Sequence, residues 1–109
     1  MDDQVQAALR RVPGVTAVYV VGEHGPEDPA AAGTLEETQR ALLAALAGAL
    51  RQAASDLSLG ELGEFLVEAG NGAIMAGTLP RGKTALVVTG AGANLGMVRV
   101  ELRRLRRSS

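Results

Sequence analysis

Hydrophobic residues recur along the chain in two rhythms, and each rhythm predicts an element. Val5, Ala8, Leu9 and Val12 fall at i, i+3, i+4 and i+7, one face of a short helix that begins near Asp3 and that Pro13-Gly14 ends, with Asp2 or Asp3 as its cap. Val15 to Val21 is almost wholly apolar and rich in β-branched residues, the pattern of a central strand covered on both faces. Gly22 to Gly33 has glycines, prolines and acids without alternation and reads as a loop. Thr34 with Glu37 matches a capping box, and a long helix is expected from there to about Asp56.

Three strand-length runs follow, at Gly60 to Ala69, Gly72 to Leu79 and Thr84 to Thr89. Asn71-Gly72 suits a type I′ hairpin turn and Pro80-Arg81-Gly82 a tight reversal, so the three make an antiparallel meander. Asn94 would cap a last helix, whose apolar positions Leu95, Val98, Leu102 and Leu105 again lie on one face. The predicted order is α, β, loop, α, β, β, β, α. A central antiparallel sheet of four or five strands with helices on its faces, an α/β (α+β) class, is the packing solution for such an order. The 109 residues fit one domain, 1–109.

The long helix is apolar over most of its circumference. Leu35, Leu42, Leu46, Leu50 and Leu57 gather on one side and are expected to lie on the sheet. Beside them Ala41, Ala44, Ala45, Gly48 and Ala49, continued by Gln52, form a second surface of small side chains. Small residues let two backbones approach closely, and a two-fold axis would set this surface against its own copy. The plainer alternative is that alanine supplies helix propensity on a solvated face.

Composition narrows the function. With 47% hydrophobic but only 2% aromatic residues, the core must be built from Val, Leu and Ala. A net charge of −1 supplies no global field to attract nucleic acid or an anionic membrane, and the only aromatics available for base stacking are Tyr19 and Phe65. The absence of cysteine excludes disulfides and thiol chemistry. The acidic, polar Met1-Asp2-Asp3-Gln4 is unlike a signal peptide, and the longest apolar run, Ala41 to Leu50, is about half a membrane span. A cytoplasmic protein without a membrane span is expected.

One segment imitates a catalytic motif. Gly77-Thr78-Leu79-Pro80-Arg81-Gly82-Lys83-Thr84 matches the phosphate-binding pattern G-x-x-x-x-G-K-[ST] at every position. A real phosphate loop leads from a strand into a helix, whereas Lys83 is followed by the strand-like Thr-Ala-Leu-Val-Val-Thr. No aspartate occurs after Asp56 to reach a magnesium ion, so a hairpin with Lys83 toward solvent is expected. Gly90-Ala91-Gly92-Ala93-Asn94-Leu95-Gly96 does join a strand to a helix start, but its third glycine comes one residue late for a dinucleotide site, and Gly90, Gly92, Asn94 and Gly96 read as a structural turn. His24 beside acids is a weak metal candidate, and no nucleophile–base set can be assembled. Glu64 and Glu68 are expected to face water. Arg99, Arg103, Arg104, Arg106 and Arg107 would complement the last helix's dipole, with an acidic protein partner as the remaining use for them. No catalytic residue, cofactor or metal is expected.

The element order, together with Val12-Pro13-Gly14-Val15 and Gly90-Ala91-Gly92-Ala93-Asn94-Leu95-Gly96-Met97-Val98-Arg99, resembles the roadblock (dynein light chain) family, whose fold is profilin-like. The resemblance covers nearly the whole chain. It departs where the family has a second strand directly after the first, since Pro26-Glu27-Asp28-Pro29 stands there, and that strand is expected to be short or lost. The resemblance implies a homodimer with the long helices packed together and the strand carrying Phe65 and Val67 meeting its copy. It also implies a non-catalytic regulator or scaffold of a Ras-like small GTPase, in bacteria often of the gliding-motility type. The compact, alanine- and arginine-rich sequence points to a bacterial source. The rival from another class is a small nucleotide- or anion-binding protein using Gly77 to Thr84 or Gly90 to Gly96.

Overall fold

A computed structural model describes residues 2–22, 25–26 and 35–107. The elements in chain order are α1 (Asp2–Arg10), β1 (Val15–Gly22), β2 (Gly25–Pro26), α2 (Glu37–Asp56), β3 (Glu64–Ala69), β4 (Gly72–Thr78), β5 (Thr84–Gly90) and α3 (Leu95–Arg107). The sheet is antiparallel with the order β2-β1-β5-β4-β3. Four strands are full length, and the doubtful second one survives as two residues, Val21 pairing with Pro26 and Gly22 with Gly25. The proposed caps Asp2, Asp3 and Thr34, the acidic loop and His24 lie outside the described residues or side chains.

Alternation within the strands sorts side chains to two faces. Val18, Val20, Met75, Ala85 and Val87 point to one face, where α1 and α3 cover them with Val5, Leu9, Val12, Val98 and Leu102. Tyr19, Val21, Ala76 and Leu86 point to the other, where α2 covers them with Leu43 and Ala47. The apolar β1 is buried from Ala17 onward because helices lie on both of its sides. An extra residue at Thr16 shifts the register between Val15–Thr89 and Ala17–Val88, and the Thr16 hydroxyl donates to the Val88 carbonyl at 3.1 Å.

The two segments that carry the family resemblance touch each other. Gly14 has φ 92, and a Cβ there would stand 2.5 Å from that of Ala93, so only glycine fits both the backbone and the space. The Gly14 carbonyl accepts the Gly90 N–H at 2.9 Å, closing the entry of β1 onto the exit of β5.

The long helix departs from expectation in two ways. It begins at Glu37, with the Glu36 N–H donating to Gln39 Oε1 at 2.9 Å, so a cap pair two residues later than Thr34–Glu37 opens it. It is also rotated: Leu43 and Ala47 meet the sheet, whereas Leu42 is 66% exposed, Leu57 is exposed, and Leu46 and Leu50 are half-buried. The helix ends in a Schellman-type turn, Leu59 N–H to the Ala54 carbonyl at 2.8 Å and Ser58 N–H to Ser55 at 3.0 Å, with Ser58 at φ 59 where glycine is usual. The β3–β4 turn falls on Gly70-Asn71, one residue earlier than a type I′ turn at Asn71-Gly72, because Ala69 already pairs with Gly72. Gly72 instead enters β4 at φ 155, where an added Cβ would collide with the Thr89 carbonyl.

Candidate functional site

The phosphate-loop look-alike is a hairpin. Gly77 and Thr78 end β4, Pro80–Gly82 form a single tight turn and Thr84 begins β5, so no helix N-terminus faces the lysine. Several motif residues have local structural roles. Gly77 lies under Leu102 of α3, whose Cβ would be 3.3 Å from a Cβ at that position, so the glycine lets the helix approach the sheet. Leu79 N–H donates to the Lys83 carbonyl at 2.8 Å, Arg81 takes φ 69, and Thr84 is fully buried with its hydroxyl against the Arg51 guanidinium. Lys83 is half-buried rather than turned wholly to solvent, because the hairpin leans toward the end of α2. Between them lies a cleft of about 740 Å³, with Arg51, Arg81 and Lys83 on its walls opposite Glu61.

The Gly90 to Gly96 segment is a tight strand-to-helix turn. Gly92 has φ 79, and the Met97 N–H donates to Asn94 Oδ1 at 3.1 Å, placing Asn94 as the cap of α3. That oxygen takes one of the donors in the first turn of the helix.

The residues expected at a dimer interface divide between two environments. Ala41, Ala45, Gly48, Ala49 and Gln52 are exposed on the outer side of α2, and a Cβ at Gly48 would meet nothing within 4 Å. Leu42 joins that outer surface. Ala44, in contrast, is half-buried against the sheet, because the rotation of α2 carries it inward. Phe65 also packs on the α2 side of the core, while Val67, on the same face of β3, is 43% exposed. β3 is an edge strand. The molecule thus presents a small-residue helix face and, at the end of the sheet, an open strand edge.

Glu64 is where sequence reasoning missed an electrostatic site. Its side chain is 20% exposed instead of facing water freely, and it binds Arg99 Nε at 2.6 Å, Arg103 at 3.0 Å and Arg106 at 3.6 Å. Hydrogen bonding from Arg103, opposed by burial and reinforced by Arg99, holds its carboxyl below the usual glutamate range. Arg106 also donates to the Gly63 and Thr78 carbonyls at 2.9 and 3.2 Å, tying α3 to the start of β3. Arg99, Arg103 and Arg106 recur at helical spacing on one side of α3, the signal that could have found this cluster. Among the described residues no group of three metal-ligating side chains converges, and no helix is long and apolar enough to cross a membrane.

Comparison with known proteins finds no matching family model and no match among curated proteins. Solved structures do match. A roadblock/LC7 domain from Streptomyces avermitilis aligns over 99% of this chain and 92% of its own, with a TM-score of 0.76 at 20% identity. Another from the same organism aligns over 99% and 96%, with a TM-score of 0.68 at 25% identity. Myxococcus xanthus MglB aligns over 95% and 89%, with a TM-score of 0.74 at 16% identity. Likeness at these TM-scores over nearly the full length of both chains shows that this chain has the roadblock/LC7 fold.

Proposed function

We propose that the chain is a non-catalytic homodimer that regulates or scaffolds a Ras-like small GTPase. The observation that carries the dimer is the exposed small-residue face of Ala41, Leu42, Ala45, Gly48 and Ala49 on α2. A surface of this kind loses apolar area to a second copy at little steric cost. The GTPase partner is supported by the family resemblance and by the likeness to MglB. A regulator of this design supplies a rigid surface, and the reacting groups belong to the GTPase.

Light scattering tests the first half. The wild-type chain is expected to be dimeric, and Gly48→Arg, whose side chain would project into open space on the monomer, is expected to be monomeric and folded. A dimeric Gly48→Arg would refute this interface. Pull-down and GTP-hydrolysis assays with a bacterial gliding-motility-type GTPase test the second half; loss of the complex in Gly48→Arg is the expected result.

The cleft between the end of α2 and the β4–β5 hairpin favours a second reading, a small anion held by Arg51, Arg81 and Lys83. Calorimetric titration with inorganic phosphate and with GTP tests it, and saturable heat abolished in Lys83→Ala would support it.

A further inference from the structure

Among the described residues, two other than glycine take a positive φ, Ser58 at 59 and Arg81 at 69. Both line the cleft between the end of α2 and the β4–β5 hairpin. Glycine adopts this backbone region freely and other residues only at a cost, and such residues gather where a chain clamps a ligand. At position 81 the turn thus carries a residue poorly suited to its backbone, and that residue places a cation on the cleft wall.

A second cation is fixed from α2. Arg51 is half-buried, with its guanidinium against the Thr84 hydroxyl and 3.5 Å from the Gly82 carbonyl. Neither of these partners is charged, so they orient the guanidinium without neutralising it. The rim of the cleft is apolar. Leu59 stands between Ser58 and Gly60, both of which line the cleft, and Leu57 precedes them. At 73% and 69% these two leucines are the most exposed large apolar side chains among the described residues. Leu62 and Leu79 continue the apolar lining inward.

We propose that this cleft docks a segment of a protein partner in which an acidic residue lies beside leucine-like side chains. The acidic side chain pairs with Arg51 and Arg81, and its apolar neighbours cover Leu57 and Leu59. The inference rests on the anion-holding reading of the cleft given above and supplies the anion's carrier. A volume of about 740 Å³ accommodates several side chains, whereas phosphate fills a small part of it. A free phosphate also leaves Leu57 and Leu59 in water, while a peptide removes their apolar area from it. Glu61, on the opposite wall, repels a multivalent anion but accepts hydrogen bonds from the N–H groups of a peptide. A planar carboxylate matches the paired donors of a guanidinium.

Fluorescence polarisation on the full chain, with a panel of labelled hexapeptides that combine Glu and Leu in every order, tests the proposal. Saturable binding of at least one member is expected, lost when its Glu is replaced by Gln and weakened when its Leu is replaced by Ser. Arg81→Gly separates binding from folding, because glycine suits the positive φ. It should weaken binding by about tenfold or more while leaving the thermal midpoint unchanged or raised. Leu59→Ser should weaken binding and leave the dimer dissociation constant unaltered. A panel with no saturating member, or affinity that survives Arg81→Gly, overturns the docking site. Saturable heat with inorganic phosphate but no peptide binding overturns the peptide and keeps the anion reading, and silence from both probes removes the two together. A shifted dimer dissociation constant in Leu59→Ser would assign the leucine rim to a second copy and overturn its role in docking.

Discussion

The two faces of the sheet are covered to different degrees. On the face beneath α1 and α3, Leu9, Val18, Val20, Ala85, Val87, Val98 and Leu102 have lost essentially all contact with solvent, and the Glu64 cluster fastens the rim. On the other face, among the described residues, α2 and Leu35 do the covering, so Tyr19, Leu86 and Ala47 are buried while Phe65, Ile74 and Val88 are only partly covered. Among the described residues, the core beneath α1 and α3 is closed and the core beneath α2 is closed less completely. Incomplete cover next to an open strand edge is where another subunit lowers the free energy most, because apolar area there is still available to bury.

The largest test of this contrast is Leu102→Ala. It removes a fully buried side chain wedged over Gly77 and should cost about 3–5 kcal/mol in denaturant unfolding. Leu43→Ala under α2 should cost less, about 2–3 kcal/mol, and its effect should depend on protein concentration if α2 lies at a subunit boundary. Equal and concentration-independent losses would erase the distinction between the faces.

Acid sharpens the contrast more gently. Glu64 has a lowered carboxyl pKa in the folded chain, so its contribution is fully present above the unfolded value and is lost as pH falls through the folded one. Unfolding free energy should therefore decline across and below the ordinary glutamate range, and Glu64→Gln should flatten that slope while removing about 1 kcal/mol at neutral pH. A wild-type slope that persists unchanged in Glu64→Gln would assign the acid sensitivity elsewhere. The smallest effect is expected at Gly48→Ala. A Cβ there meets nothing within 4 Å of its own chain, so helix propensity should stabilise the dissociated chain by about 0.5–1 kcal/mol in thermal melts at low protein concentration. At concentrations where a second copy packs on that spot the gain should shrink or reverse, and a gain that ignores concentration would place Gly48 outside the interface.

Much of this architecture was legible before any coordinates. β1, the meander and the face of α3 follow from side-chain periodicity, and the hairpin reading of Gly77 to Thr84 follows from the strand-like residues after Lys83. α2 was legible as a helix but not in its orientation. Apolar residues surround most of its circumference, so the sequence carries little directional preference, and contact with the sheet decided that Leu43 and Ala47 go inward while Leu42 goes out. That rotation also moved Ala44 off the outer surface.

Glu64 shows the same division in charge. Its residue type and alternation placed it on a strand and left its partners unspecified, because Arg99, Arg103 and Arg106 stand 35 or more residues away and meet it only once α3 lies across β4. By itself the sequence determined what depends on neighbours a few residues apart: the elements, most of the turns and the absence of a helix behind the lysine of the look-alike motif. The tertiary structure alone decided which face of α2 is free, where the acidic and basic residues meet and which strand lies open at the edge. Those depend on contacts between segments far apart in the chain, which local periodicity cannot encode.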